Sequence, residues 1–85
     1  MRIRLFGSKN CELCKQITRE LLKAGISYQY VDAMVDKNQD YCNRYGVRDL
    51  PHIQILNESN AVVHEVVGYA TPTQIKEAAS RALGE

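Results

Sequence analysis

The sequence has no apolar run long enough to span a bilayer and no excess of charge of either sign. Its formal net charge is +1, which gives no global reason to expect binding to nucleic acid or to a membrane surface. Cysteine is scarce, and three residues are too few for a secreted scaffold held together by disulfides. The start, Met1-Arg2, has no apolar stretch that ends in small residues, so we expect no signal peptide. We therefore expect a cytoplasmic protein whose thiols are mostly reduced.

Length and composition predict one small folded domain over residues 1–85. Apolar residues make up 45% and charged residues 25%, which is typical of a globular protein and argues against disorder. We find no repeat, linker or low-complexity segment that would divide the chain. A chain of this length buries only a modest core, so we expect a stability of a few kcal/mol.

A Cys-x-x-Cys motif, formed by Cys11 and Cys14, follows the first apolar run of the chain. A helical pattern begins at the same point, because apolar residues recur every four positions from Leu13. The pattern predicts a helix from Cys11 to Ala24, ended by Gly25. A strand, a short loop, a Cys-x-x-Cys motif and a helix in this order indicate a thiol–disulfide redox site.

The predicted helix start explains how the two cysteines would differ. A sulfur at Cys11 lies beside unpaired backbone N–H groups and the positive end of the helix dipole, which both favour the thiolate. Lys9 and Lys15 reinforce this effect, whereas Glu12 opposes it. Cys14 lies one turn later on the same face, where it can attack a mixed disulfide formed at Cys11.

The remaining pattern predicts the element order βαβαββα. Strands are expected at 2–6, 26–32, 52–56 and 61–67, and further helices at 38–45 and 72–83. The first two strands flank a helix and should be parallel, whereas the last two should form a hairpin around a turn at 57–60. Thr71, Pro72 and Gln74 predict a capping box at the start of the last helix. The order predicts a four-stranded mixed sheet with helices on both faces.

This order, together with four local motifs, resembles the α/β thioredoxin fold, and its length is similar to that of the glutaredoxin branch. The motifs are Ser8-Lys9, Cys11-Glu12-Leu13-Cys14, Asp49-Leu50-Pro51 and Val67-Gly68-Tyr69. The resemblance covers nearly the whole chain and implies a monomeric dithiol–disulfide oxidoreductase that acts on disulfide-containing proteins or glutathione mixed disulfides. It implies no bound cofactor, and either glutathione or a flavin-dependent thioredoxin reductase as the electron donor. The second donor would fit the related redoxins that serve ribonucleotide reductase.

The resemblance also implies which residues contact substrate or glutathione. These candidates are Lys9, Leu13, Leu50, Pro51, Gly68, Tyr69 and Thr71. Glutaredoxins usually carry Pro-Tyr between the cysteines and an acidic pair before the last helix, and this chain has Glu12-Leu13 and Ala70-Thr71 in those places. Because the ammonium group of glutathione loses its usual acidic partner, we expect glutathione to bind weakly.

Three of these candidates carry a specific structural expectation. The proline that matches Pro51 in the family is cis, so we expect a cis bond that turns the Leu50 backbone towards an extended substrate. Gly68 should provide close approach or a positive φ. Tyr69 either packs beside the sulfurs or is an ordinary surface tyrosine.

Other interpretations of the cysteines and histidines stay open at this point. Cys11 and Cys14 could be a structural pair or half of a zinc site, but Cys42, His52 and His64 lie on separate predicted elements and form no second pair. We therefore predict no metal site within one chain. An iron–sulfur cluster shared between two subunits, or a binding protein with a vestigial redox pair, would be alternative functions. Cys42 is expected to be a small apolar residue of the second helix, with a regulatory thiol as the alternative. The histidines are expected to be strand residues and not ligands, and nothing in the sequence pairs them with a carboxylate.

Overall fold

A computed structural model describes residues 1–84, so the last residue of the predicted domain, Glu85, lies outside the described part. The strands are β1 (Arg2–Gly7), β2 (Gln29–Asp32), β3 (His52–Leu56) and β4 (Val62–Val67). The helices are α1 (Glu12–Lys23), α2 (Gln39–Tyr45) and α3 (Pro72–Leu83), with a short 3₁₀ turn at Asp36–Asn38 before α2. The predicted order βαβαββα is confirmed.

The four strands form one mixed sheet in the order β2-β1-β3-β4. β1 is parallel to β2, whereas β1–β3 and β3–β4 are antiparallel pairs. Strand β1 is therefore central, and it pairs with β3 over residues 2–6 and with β2 over residues 4–7. Its last residue, Gly7, pairs with Asp32 of β2, and the preceding Phe6 pairs with His52 of β3. The loop that carries the cysteines leaves the sheet at this end.

Side chains on alternate positions of the strands fill two core clusters, one on each face of the sheet. The larger cluster, packed under α1 and α3, consists of Ile3, Leu5, Ile17, Leu21, Ile26, Ile53, Ile55, Ala70, Ile75, Ala78 and Ala79. The smaller cluster, packed under α2, consists of Phe6, Val31 and Cys42, with Ala33, Tyr41, Tyr45, Val47 and Leu50 against it. Helices on both faces were predicted and are confirmed, and Cys42 is the buried apolar residue of α2 that we expected.

The second strand is shorter than predicted, because Ile26 completes the end of α1 and the two residues after it lie outside the strand. Gly25 has φ +71°, and the N–H of Ile26 donates to the carbonyl of Leu21 at 3.0 Å. The N–H of Gly25 donates to the carbonyl of Leu22, so the helix ends in a Schellman motif. β2 begins only at Gln29. The predicted connection before α2 also contains the 3₁₀ turn, and β4 begins one residue later than predicted.

A buried polar cluster on the α2 face of the sheet was not predicted. The Nη1 of Arg4 donates to the side-chain oxygen of Gln54 at 2.8 Å, and the Nε2 of Gln54 donates to Glu65 at 3.3 Å. His52 is a residue of β3, as predicted, and its Nε2 lies 2.5 Å from the same carboxylate oxygen of Glu65, a pairing that the sequence did not indicate. Two aromatic rings of α2 lie 4.8 and 5.5 Å from the Arg4 guanidinium carbon, those of Tyr41 and Tyr45.

Candidate functional site

The two cysteines lie at the beginning of α1, as the sequence predicts. Cys11 is the N-cap residue, with extended backbone angles, and the helix proper starts at Glu12. The Cys11 N–H donates to the carbonyl of Ser8 at 3.3 Å, which closes the loop that follows β1. The Cys11 carbonyl accepts the first helical hydrogen bond, from Lys15 N–H at 3.1 Å. The position of Cys11 is therefore fixed by the strand end on one side and by the helix on the other.

Cys11 and Cys14 are joined in a disulfide, and their environments differ. The Sγ of Cys11 accepts a hydrogen bond from the Cys14 backbone N–H at 3.1 Å, as an N-cap side chain does. Cys11 is partly exposed, whereas the exposed fraction of Cys14 is 1%. In the reduced protein the same N–H and the helix dipole would stabilise a thiolate on Cys11. An incoming disulfide can reach Cys11 but not Cys14.

The charged residues around the pair act less directly than the sequence suggests. Lys15 Nζ lies 3.4 Å from a carboxylate oxygen of Glu12, and both side chains are largely in solvent. An exposed ion pair of this kind contributes little to stability. Because Lys15 is paired with Glu12, its charge stabilises a nearby thiolate less than an unpaired lysine would. Lys9 is exposed in the loop and makes no ion pair within residues 1–84. Its charge is therefore available, as far as residues 1–84 show, to an anionic partner.

The space beneath the disulfide depends on Gly7, which the sequence analysis did not identify as part of the site. A Cβ built on Gly7 would come within 3.2 Å of both Cβ and Sγ of Cys14. It would also come within 3.0 Å of the Tyr30 hydroxyl oxygen. These approaches are closer than ordinary packing allows, so glycine makes room for the resolving cysteine. Gly7 and Tyr30 do not belong to a sequence motif. Only the pairing of β1 with β2 brings them close to the cysteines.

The loop that contains Pro51 meets the loop that precedes α3. The Leu50–Pro51 peptide bond is cis, as predicted, and Pro51 is buried. Its carbonyl accepts a hydrogen bond from the Gly68 N–H at 2.8 Å. Gly68 has φ +95°, which confirms the expected positive φ, and among residues 1–84 no other atom lies within 4 Å of a Cβ built there. Backbone conformation, and not close approach, is therefore what glycine provides at this position.

The remaining candidates are distributed around this end of the sheet. The side chain of Leu13, between the cysteines, is 47% exposed, whereas Leu50 packs against the smaller core cluster. The Tyr69 hydroxyl donates to Glu20 of α1 at 2.5 Å, and its ring packs against the larger cluster. That hydrogen bond and partial desolvation raise the pKa of Tyr69. The Tyr69 side chain is therefore hydrogen-bonded to α1. Thr71 caps α3.

The cap of α3 has the predicted capping box. Thr71 Oγ1 accepts from the Gln74 N–H at 3.1 Å, and the Thr71 N–H donates to the Gln74 side chain at 2.9 Å. Ala70 lies just before the cap and is 5% exposed, inside the larger core cluster. The two positions that differ from the acidic pair of glutaredoxins are thus a core residue and a helix cap.

No cluster of three or more histidine, cysteine or acidic side chains within residues 1–84 has the arrangement of a metal site. The third cysteine, Cys42, is a free thiol, and burial raises its pKa. None of the helices in this part of the chain combines the length and the apolar character that crossing a membrane requires.

Solved structures of thioredoxins have the same architecture. Thioredoxin F from spinach chloroplast is 25% identical, with a TM-score of 0.78 over 96% of this chain and 75% of that one. Thioredoxin 1 from Thermosipho africanus is 19% identical, with a TM-score of 0.72 over 99% and 96%. Thioredoxin-2, described as a component of the malaria parasite protein secretion machinery, is 20% identical, with a TM-score of 0.79 over 94% and 81%. These similarities confirm the thioredoxin fold.

Comparison with curated protein sequences found no match. The family model described as Thioredoxin matches residues 3–81, a range that includes the Cys11–Cys14 pair, the Leu50–Pro51 bond and most of α3. A match over nearly the whole length establishes the family, and this chain belongs to the thioredoxin family.

Proposed function

We propose that the protein is a dithiol–disulfide oxidoreductase that reduces disulfides of other proteins through Cys11 and Cys14. The observation that carries this proposal is the asymmetry of the pair. Cys11 is a partly exposed N-cap whose sulfur accepts the Cys14 N–H, whereas Cys14 is buried directly behind it. One sulfur is therefore placed to attack a substrate and the other to complete the exchange.

The reaction is an exchange of disulfide bonds in two steps. The Cys11 thiolate attacks one sulfur of the substrate disulfide, forms a mixed disulfide and releases the other substrate sulfur as a thiolate. The Cys14 thiolate then attacks the Cys11 sulfur, which forms the Cys11–Cys14 bond and releases the second substrate sulfur. Two electrons pass from the protein to the substrate, and the protein is left in the disulfide form that the structure shows.

The surface around the sulfurs supports protein substrates. Leu13, between the cysteines, is nearly half exposed, and Val67, before the Gly68 loop, is 59% exposed. Apolar side chains of this kind can pack against a partner chain. The backbone of Leu50 stays a predicted partner for an extended substrate segment.

We propose that the protein is glutaredoxin-like and is re-reduced by glutathione, which it uses weakly. A flavin-dependent thioredoxin reductase is the alternative electron donor. Lys9 is exposed and could pair with a glutathione carboxylate. Neither Ala70, which is buried, nor Thr71, whose hydroxyl accepts from Gln74, offers a carboxylate to the ligand's ammonium group. Loss of one charge-assisted hydrogen bond weakens binding by roughly ten- to a hundredfold.

The test offers the oxidised protein separately to glutathione and to thioredoxin reductase with NADPH, and measures reduction of a protein disulfide and of a small glutathione mixed disulfide. We expect protein-disulfide reduction, with poor saturation by the glutathionylated substrate. Absence of protein-disulfide reduction with either donor would contradict the proposed function. A visible absorption band together with dimerisation would favour the iron–sulfur alternative instead.

A variant of Thr71 tests the glutathione argument specifically. Thr71→Asp keeps a side chain that can cap α3 and adds the missing charge, whereas the matched control Thr71→Asn keeps the cap without the charge. We expect about a tenfold gain in apparent glutathione affinity for Thr71→Asp and none for Thr71→Asn. Aspartate at position 70 is unsuitable for this test, because it would place a charge in the core. Equal affinities in the two variants would contradict this account of weak glutathione use.

A further inference from the structure

Tyr30 lies on β2, an edge strand of the sheet. It pairs with Leu5 of β1, and two residues further on Asp32 pairs with Gly7. Residues two apart on a strand share a face, so Tyr30 lies on the same side of the sheet as Gly7. Its hydroxyl oxygen and the Sγ of Cys14 both lie within 3.2 Å of the position that a Gly7 Cβ would occupy. The hydroxyl and the sulfur thus border the same small gap.

The Tyr30 hydroxyl is available for a new hydrogen bond. This hydroxyl has no hydrogen-bond partner within residues 1–84 of the oxidised protein. The neighbouring carboxylate of Asp32 accepts a different donor, the Met34 N–H, at 2.9 Å. The Tyr30 side chain is 43% exposed, whereas Cys14 is 1% exposed. Tyr30 therefore borders the buried sulfur and is itself in contact with solvent. The titratable groups that face it are Asp32 and Tyr28 on its own side and Cys14 of α1.

We propose that in the reduced protein the Tyr30 hydroxyl donates a hydrogen bond to the Cys14 sulfur and so makes Tyr30 a catalytic residue of the second exchange step. This inference rests on the proposed function. Burial disfavours the thiolate of Cys14, and glycine at position 7 leaves room for a donor to approach its sulfur. Cys11 has such a donor in the Cys14 N–H, and Tyr30 would be the counterpart for Cys14.

The role of the hydroxyl in the step follows from its position. Cys14 loses its thiol proton to water that reaches the site past Tyr30, and the O–H of Tyr30 stabilises the resulting thiolate. That thiolate attacks the Cys11 sulfur, the Cys11–Cys14 bond forms, and the substrate sulfur leaves with the electron pair of the broken mixed disulfide. Tyr30 keeps its own proton throughout. Partial burial and then the charge of Asp32 raise the pKa of Tyr30, so the phenol stays protonated where thiols ionise.

The first experiment titrates Cys14 without any turnover. In a Cys11→Ser/Cys42→Ala background Cys14 is the remaining thiol, and its thiolate is followed by ultraviolet absorbance with and without Tyr30→Phe. We expect Tyr30→Phe to lower the thiolate fraction of Cys14 at neutral pH by about tenfold, the effect of one hydrogen bond to a charged group. Tyr28→Phe removes a hydroxyl from a nearby ring and should leave the titration unchanged. An unchanged titration curve in Tyr30→Phe would overturn the proposal.

The second experiment separates the two exchange steps in the otherwise unmodified chain. Under single turnover, Tyr30→Phe should form the mixed disulfide at the normal rate and resolve it about tenfold more slowly at neutral pH. The difference should disappear at high pH, where Cys14 is fully ionised in both proteins. A defect that persists at high pH, or equal resolution rates at neutral pH, would exclude this role for Tyr30. If the chain reduces no disulfide, the proposed function fails, and the titration still decides whether Tyr30 stabilises the thiolate.

Discussion

Replacement of Gln54 by leucine tests whether the buried polar cluster stabilises the fold through hydrogen bonds to Arg4. The Gln54 side chain is fully buried at the centre of β3, and its oxygen accepts from Arg4 at 2.8 Å. Arg4 is only 6% exposed, and its Nε has no hydrogen-bond partner in the described part of the chain, residues 1–84. Gln54→Leu would therefore leave a buried guanidinium with the aromatic contacts of α2 but without its side-chain acceptor.

The expected loss of stability follows from the groups that lose a hydrogen-bond partner. A hydrogen bond to a charged group contributes about 1.5–3 kcal/mol, and a buried charge left without a partner costs more than that contribution. The added apolar surface of leucine offsets part of this loss. We expect Gln54→Leu to lower the free energy of unfolding by about 2–3 kcal/mol. For a domain of this length, such a change lowers the melting temperature by roughly 10–20 °C.

A double variant shows whether the cause is the unpaired charge. Arg4→Met in the Gln54→Leu background removes the charge as well as its acceptor, and we expect it to restore most of the lost stability. Gln29→Leu, the same change at an exposed strand position, should stay within about 0.5 kcal/mol of the unmodified protein. The free energies are measured by denaturant unfolding followed by circular dichroism. A Gln54→Leu protein as stable as the unmodified one, or a double variant less stable than the single one, would refute the reasoning.

Two further changes test the α3 cap and the third thiol. Thr71→Ala removes both hydrogen bonds of the capping box and should lower the free energy of unfolding by about 1 kcal/mol, whereas Thr71→Ser should retain it; equal thermal melts would contradict this. Cys42→Ser places a hydroxyl in the smaller core cluster and should cost about 1–3 kcal/mol while turnover per folded molecule stays largely intact, so a large loss of turnover would show that Cys42 takes part in the chemistry.

The fold was predicted correctly where the local sequence pattern and the pairing of strands in the sheet favour the same element. The helix pattern from Leu13, the capping box at Thr71 and the hairpin of β3 and β4 each depend on residues close in sequence. The extent of β2 was predicted less well, because Ile26 has the apolar character of a strand residue but completes the end of α1. Periodicity cannot distinguish a buried strand residue from a buried helix-end residue.

The site was predictable at its motifs, including the cis bond at Pro51 and the positive φ of Gly68, but not where strand pairing adds residues to it. The cysteine motif places the nucleophile and the resolving thiol in one helix turn, so four residues of sequence determine their arrangement. Gly7 and Tyr30 join that arrangement only through the pairing of two strands, and neither stands in a motif. The Arg4–Gln54 bond spans 50 positions, and a buried arginine is recognisable only when its partners are known.

The central claim is that Cys11 makes the first attack and Cys14 completes the exchange, and intact-mass measurement of trapped mixed disulfides tests it most directly. Cys11→Ser and Cys14→Ser proteins, both also carrying Cys42→Ala, are incubated with a disulfide-containing protein at slightly acidic pH. We predict that Cys14→Ser accumulates one covalently attached substrate molecule, because Cys11 is reachable and its thiolate is stabilised at the helix start. Cys11→Ser should accumulate almost none, because Cys14 is buried. Trapping by Cys11→Ser at a rate equal to or above that of Cys14→Ser would contradict the assignment of the two thiols.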